Sequence, residues 1–362
     1  MRIFVDKWVK VVGKMLKLET VILYCLKQLN NERTIYSIYH LLNGKKSSQT
    51  IQDAHLFSIK EYFGVYDTLT RENFEQIIEE LSRKNLIDGC GEQRYRVTVS
   101  GLEHIETTSM DHYLNGWTFH SFTTLFWERL SFFIQVTSNL VYEEAKYIPI
   151  QKNKDVHNWL KSMLKEIKIP RNELGTLLYS ELINCFKGAK DLDPSVLVFR
   201  LTGFQQIGLT AIQAARKLNI DIHDYQLEFI NTLHYIIQKI IKDSSYFNML
   251  TFLIKDLEKA DVLTSSSRKT WNLLIQGNTP EKIADLRNLK LSTIEDHLVE
   301  FALHLENFSI DPYVDKAIQL KIIELSRSIG TRQLKLIKDQ LKTATYLQIR
   351  LVLAKYGDKK WN

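Results

Sequence analysis

The stretch SSSRKTWNLLIQGNTPEKIADLRNLKLSTIEDHLVEFALH, residues 265–304, decides the fold. Trp271 and Leu274 open an apolar helical stripe that Gly277 ends. Thr279 is a natural N-cap, and Pro280 follows at the first helical position. Ile283, Ala284 and Leu286 give this second helix a buried face, and Asn288-Leu289-Lys290 makes a turn. Ser292-Thr293-Ile294-Glu295 then fits a capping box, and Ile294, Leu298, Phe301 and Ala302 recur at helical spacing on a third helix. Three helices with two tight connections predict a helix-turn-helix unit.

The charge of the third helix bears on what the unit binds. A base-reading helix lies beside a dense row of phosphates. Between Ser292 and His304 the charged residues are Glu295, Asp296 and Glu300, with no Lys or Arg. Phosphate repels such a helix, so packing on protein and reading of bases both stay open here.

Outward from this stretch, 362 residues allow two or three domains. Only 14 glycines and 5 prolines interrupt the chain, which points to a mainly α fold. Cys25, Cys90 and Cys185 stand far apart with no C-x-x-C pair, which predicts a reduced cytoplasmic chain with no zinc site and no disulfide framework. Lysines break up the apolar residues of the first eighteen positions, and no membrane-spanning run occurs elsewhere. Residues 1–14 read equally as a short amphipathic helix or as an extension upstream of a start at Met15.

The net charge of +6 sits at the ends. Residues 331–362 carry Arg332, Lys335, Lys338, Lys342, Arg350, Lys355, Lys359 and Lys360 against Asp339 and Asp358. Residues 1–18 add Arg2, Lys7, Lys10, Lys14 and Lys17 against Asp6. Basic ends suit a polyanion partner, nucleic acid above all. Spacings of three, three and four place Arg332, Lys335, Lys338 and Lys342 on one face of a predicted helix, which Arg350 joins from the next one.

Near the N-terminus the pattern predicts helices over 18–29, 33–42, 48–57 and, capped by Thr70, one carrying Phe74, Ile77, Ile78 and Leu81. Leu86-Ile87 and the alternating Tyr95, Val97 and Val99 predict a hairpin around Gly89-Cys90-Gly91-Glu92, closed by Ser100-Gly101. Helices followed by a two-stranded hairpin make a winged helix. Residues 33–105 resemble the winged-helix domain of RecQ-family DNA helicases. Leu41-Leu42 with Gly44, Ile51, Tyr62-Phe63-Gly64, Leu69-Thr70-Arg71-Glu72, Phe74, Ile77, Leu81 and Val97-Thr98-Val99-Ser100-Gly101 carry the likeness. In that family the wing can part a duplex. Here the wing tip has no aromatic residue, so strand separation is not expected of it, and Arg71, Arg94 and Arg96 are left as candidate phosphate contacts or as ordinary surface charge.

The centre is rich in aromatic residues (Trp117, Phe119, Phe122, Phe126, Trp127, Phe132 and Phe133) at helical spacing, which predicts a buried bundle. A second possible helix-turn-helix begins at Thr210, with Gln213 at the capping-box position and Ile212, Ala215 and Leu218 expected inside. A long helix over about 224–243 follows it. Two further helices close the chain, one from Pro312 to a break at Gly330 and one capped by Thr345.

Residues 265–356 resemble the helix-turn-helix domain at the extreme C-terminus of some RecQ-type helicases, a domain that also ends the stand-alone bacterial family YpbB. Ile283-Ala284, Leu291-Ser292-Thr293-Ile294, His297-Leu298 and the run from Leu334 through Tyr346 to Arg350-Leu351-Val352-Leu353-Ala354 carry it. A RecQ-like winged helix in front, this domain behind and no motor between them resemble the YpbB family itself. The implied organisation is a basic N-terminal extension over 1–17, a winged-helix domain over 18–108, a central helical domain over 109–262, and a C-terminal helix-turn-helix domain with a basic tail over 263–362. The implied role is that of a non-catalytic partner of a RecQ-type DNA helicase in repair or recombination. A helix-turn-helix transcription regulator is the alternative.

Catalytic signatures are missing. No Walker A loop, H-E-x-x-H, G-x-S-x-G or G-x-G-x-x-G occurs. His112 with His120, and Asp221-x-His223-Asp224, are the only clusters that suggest a metal, and both fit structural roles. No cofactor and no catalytic residue is expected.

Overall fold

The computed structural model describes residues 16–108, 112–189, 191–257, 263–330 and 332–357. The N-terminal lysines before Lys17 and the tail residues from Asp358 on, with Lys359 and Lys360, lie outside them. The chain opens with α1 (Leu18–Leu29), α2 (Tyr36–Leu42), α3 (Ser48–Leu56) and α4 (Arg71–Arg83). Strands β1 (Ile87–Gly89) and β2 (Tyr95–Val97) form the antiparallel hairpin, with Ile87 opposite Val97 and Asp88 opposite Arg96. There follow α5 (Val99–Thr107), α6 (Gly116–Phe119), α7 (Thr123–Val141), α8 (Lys154–Glu166), α9 (Arg171–Phe186) and α10 (Ser195–Val198). Next are α11 (Ala211–Leu218), α12 (Ile222–Lys242), α13 (Asn248–Thr251), α14 (Ser265–Leu274), α15 (Pro280–Arg287) and α16 (Leu291–His304). The chain closes with α17 (Lys316–Ile329), α18 (Leu334–Gln340) and α19 (Tyr346–Tyr356). The fold is mainly α, with the winged-helix hairpin, the central bundle and the C-terminal helix-turn-helix region expected from the sequence.

Two compact units arise from these elements. One joins the described residues of 1–21 to those of 103–259, and the other joins 22–102 to those of 260–362. In the first, α7, α9 and α12 enclose Phe126, Phe133, Leu174, Tyr225 and Ile236, all nearly inaccessible to water. Burying each such side chain stabilises the unit by about 1.5–3 kcal/mol. The aromatic run is therefore mostly core: Phe119, Phe122, Phe126, Phe132 and Phe133 are buried, while Trp117 and Trp127 are half-buried. Gly175 lets α9 approach α7, because a Cβ there would meet the Val141 side chain.

In the second unit the winged-helix segment packs on the helix-turn-helix segment through α3, which meets both α16 and α19. All residues of α3 from Thr50 to Leu56 are buried. Gly44 and Gly64 cross in direct contact, where a Cβ on Gly44 would stand 2.9 Å from the Gly64 Cα. Both hold a left-handed φ of 67° that favours glycine. The Gly64 amide donates to the Leu41 carbonyl at 2.8 Å, which joins the end of α2 to the turn before α4.

Four hydroxyl caps fall where the sequence places them. Thr70, Thr210, Thr279 and Thr345 each accept the backbone N–H three residues on, and Thr210 and Thr345 complete capping boxes with Gln213 and Gln348. Other expectations need correction. The box at Ser292 does not form: Lys290 is the N-cap of α16 and gives no side-chain bond. Asn288 turns left-handed at φ 51° and the Leu289 amide closes on the Ala284 carbonyl at 2.9 Å, so α16 begins before Ser292 can cap it. Val99 and Gly101 belong to α5 and not to the returning strand, and Val99 is exposed. Gly101 fits there because a Cβ would strike the Leu86 carbonyl. Leu286 and Ile212 are exposed, since helices of eight residues bury one turn only, at Ile283-Ala284 and at Ala214-Ala215.

The turn between α11 and α12 repeats the one between α15 and α16. Asn219 is left-handed at φ 56°, and the Ile220 amide closes on the Ala215 carbonyl at 3.1 Å. Each unit thus holds one helix-turn-helix corner of the same build.

Candidate nucleic-acid interface

The third helix of the helix-turn-helix, α16, is a core element. It packs on α3, α14, α15 and α19, and Ile294, His297, Leu298, Val299, Glu300, Phe301 and Ala302 are buried. Two of its three acidic residues serve internal contacts. The Glu300 carboxylate accepts the Thr264 N–H at 2.5 Å and the Ser267 hydroxyl at 2.5 Å, closing the start of α14. Asp296 pairs with the Arg350 guanidinium at 2.7 Å. His297 Nδ1 lies 2.7 Å from the Thr270 hydroxyl, and burial pushes its pKa down to about 4. Leu291 and Ser292, in the first turn, are the exposed part of this helix.

The helix that precedes the wing, α4, is acidic too: Arg71 and Arg83 stand against Glu72, Glu75, Glu79 and Glu80. Arg71 is held at the rim of this unit. It donates to Glu75 at 2.8 Å and to the Tyr36 hydroxyl at 2.5 Å, and its guanidinium lies 4.3 Å from the Tyr36 ring centre. The Tyr36 hydroxyl donates in turn to Glu75 at 2.6 Å, and this bond, with Arg71 beside it, lowers the Glu75 pKa. Arg96 faces Asp88 across the hairpin at 3.9 Å. Arg94 projects into solvent at the turn, where its carbonyl accepts the Cys90 N–H at 2.9 Å.

The basic tail does not form the continuous helical row that its spacing predicts. Only Lys335 and Lys338 lie on α18, because Gln333 is its N-cap and the helix ends at Gln340. Lys338 donates to the carbonyls of Lys342 at 2.8 Å and Ala344 at 2.7 Å, which satisfies acceptors beyond the helix end. The Arg332 N–H donates to Glu32 at 3.1 Å, and its guanidinium lies over the Phe57 ring. Arg350 is half-buried and joins three segments: it donates to Gln52 at 3.1 Å and to Ser48 at 2.6 Å while pairing with Asp296. Lys335 and Lys342 are exposed. Of the eight cations expected to meet phosphate, Arg94, Lys335 and Lys342 carry neither an ion pair nor a side-chain hydrogen bond among the described residues.

The histidines considered for a metal sit in local contacts. The Leu114 N–H donates to His112 Nδ1 at 3.2 Å, and His120 Nδ1 lies 2.9 Å from the Gly116 carbonyl. Asp221 caps α12. Among the described residues no group of three His, Cys, Asp or Glu is placed to hold a metal ion, and no helix is long and apolar enough to cross a membrane.

A family described as a helix-turn-helix domain matches residues 266–353. Over 343 residues the chain is 33% identical to Protein YpbB of Bacillus subtilis (strain 168), covering 93% of this chain and 97% of that protein. The chain belongs to the YpbB family. No solved structure matches it. In this member of the YpbB family the matched domain runs from α14 to α19 and thus extends beyond the three helices of the motif. One group absent from the sequence-derived site is a lysine row on α8, where the signal was a helical spacing of seven and four at Lys154, Lys161 and Lys165.

Proposed function

We propose that this protein is a non-catalytic accessory of a RecQ-type DNA helicase, acting in the cytoplasm in DNA repair or recombination and holding DNA, the helicase or both. One observation carries the reading. The segment that resembles a RecQ winged helix and the segment matched by the helix-turn-helix family fold into one compact unit, in a chain without a Walker A loop. The two modules that accompany a helicase motor are thus built here as one adaptor. Acidic α4 favours protein contact on the winged-helix face, and Arg94, Lys335 and Lys342 supply charge for phosphate. Arg71, Arg96, Arg332, Lys338 and Arg350 can add field at the surface, although each already has an internal partner. Burial of α16 argues against a transcription regulator that reads bases with that helix.

A pull-down of the full chain with the cognate RecQ-type helicase, joined to an unwinding assay, tests the proposal. Association together with altered unwinding is the expected result. Absence of both overturns it.

A further inference from the structure

We infer that α8 of the central domain is a nucleic-acid backbone site, with Lys154, Lys161 and Lys165 as its phosphate contacts. This rests on the reading of the protein as a DNA-holding accessory and adds a site outside both winged helix and helix-turn-helix.

The helix turns Val156, Leu160 and Met163 into the core. At 100° per residue, Lys154, Asn158, Lys161 and Lys165 fall on the opposite side, and all four are exposed. The row is about 16 Å long at 1.5 Å per residue. Unlike the tail, it lies on one unbroken helix, held from below. His157 Nε2 lies 2.7 Å from the Gln151 carbonyl, its ring rests on Phe132 at 4.5 Å, and the Arg129 guanidinium covers Trp159 at 4.6 Å.

Two features set this row apart from an ordinary solvated face. Cations on a helix gain from carboxylates three or four residues away, as on α4 with Arg71–Glu75 and with Glu80 and Lys84 just beyond its end. No carboxylate stands at those positions from Lys154, Lys161 or Lys165, and none of the three has an ion pair among the described residues. Lys161 and Lys165 instead form a like-charge i,i+4 pair, which opposes the helix. Lys154 sits in the first turn, beside Asp155, where the helix dipole disfavours a cation, whereas Lys165 sits in the last turn, where the dipole favours one. The like-charge pair and the placement of Lys154 disfavour the free protein, and both are relieved by an anion that spans the row. The occupant is a nucleic-acid backbone rather than a lipid surface: the apolar side of α8 is consumed by the core, so the helix has no hydrophobic face to insert beside its lysines, and the exposed Ile148 and Ile150 lie in the loop before it. Contacts of this kind set position and not sequence.

The test measures the affinity of the full chain for a fluorescent duplex and a fluorescent single strand over a range of salt. In K154Q/K161Q/K165Q the slope of log affinity against log salt should flatten by about 0.9 per lost contact on duplex, or about 0.7 on single strand. The single variants should each show a third of that change, and K154R/K161R/K165R should keep the original slope. Circular dichroism before and after melting checks that the variants fold. An unchanged slope in the folded triple variant, with DNA binding intact, overturns this site alone. A variant that loses binding to phosphatidylglycerol vesicles but keeps its DNA slope overturns it in favour of a membrane. An unaltered chain with no salt-dependent DNA affinity at all overturns both this site and the DNA-holding half of the accessory reading.

Discussion

Arg350 shows how a cation counted as a ligand contact can be a structural one. Its guanidinium reaches Gln52, Ser48 and Asp296, three groups from two distant stretches of chain, with the side chain only 18% exposed. Arg350→Met should destabilise its unit by about 1–3 kcal/mol, because Asp296 and Gln52 would lose a charged partner. Urea denaturation measures this, and a loss below about 0.5 kcal/mol would return Arg350 to the surface set. The same scale holds the histidines. His304 packs on His55 at 4.8 Å between ring centres, and burial, then His55 and Lys60, push its pKa down to about 3. In the unfolded chain a histidine binds its proton near pH 6.5. As pH falls from there toward 4, the unfolded state takes up protons that folded His304 refuses, so stability falls by up to about 1.4 kcal/mol per pH unit. His304→Gln should flatten this acid limb of a pH–stability profile, and an unaltered limb would show that His304 titrates normally.

Among the elements, hairpin and caps were legible in the sequence because their causes are local. A hydroxyl that accepts an N–H three residues on announces itself at Thr70, Thr210, Thr279 and Thr345. The Ser292 box misled because a left-handed Asn288, itself a local feature, sets the start of α16 earlier. The fate of α16 was not local. Its carboxylates signal repulsion of phosphate, but only the folded chain shows Glu300 closing α14 and Asp296 holding Arg350. Gly101 belongs to this scale as well, since α5 starts against β1 with no room for a Cβ below the Leu86 carbonyl. Gly101→Ala should cost more than the few tenths of a kcal/mol typical of a surface helix, about 1–3 kcal/mol, through displacement of the hairpin. Thermal melting gives the stability, and hydrogen exchange at Ile87 and Val97 reports whether the hairpin is the part that loosens.

At the scale of the whole molecule, the tail row was the least legible feature. Spacing alone placed Arg332, Lys335, Lys338 and Lys342 on one helix, whereas Gln333 caps α18 and Lys338 turns back on the carbonyls of Lys342 and Ala344. The pairing of chain segments was equally hidden, because contacts between residues 22–102 and 260–362 depend on side chains hundreds of positions apart. This pairing yields a prediction about truncation. Helix α3 is buried from Thr50 to Leu56 largely by α16 and α19, and Glu32, Gln52 and Ser48 find partners in Arg332 and Arg350. Removal of residues 263–362 would expose this apolar surface and leave those polar groups without their partners. The core of α7, α9 and α12 lies wholly in the other unit. Limited proteolysis of the 1–262 fragment should therefore cut rapidly within 22–102 while 112–257 resists, in contrast to uniform resistance of the full chain. Equal resistance of both parts would show that the winged-helix segment folds alone. If the segment does unfold, lost helicase binding in this fragment says nothing about the tail, and point changes at Lys335 and Lys342 become the proper probe of it.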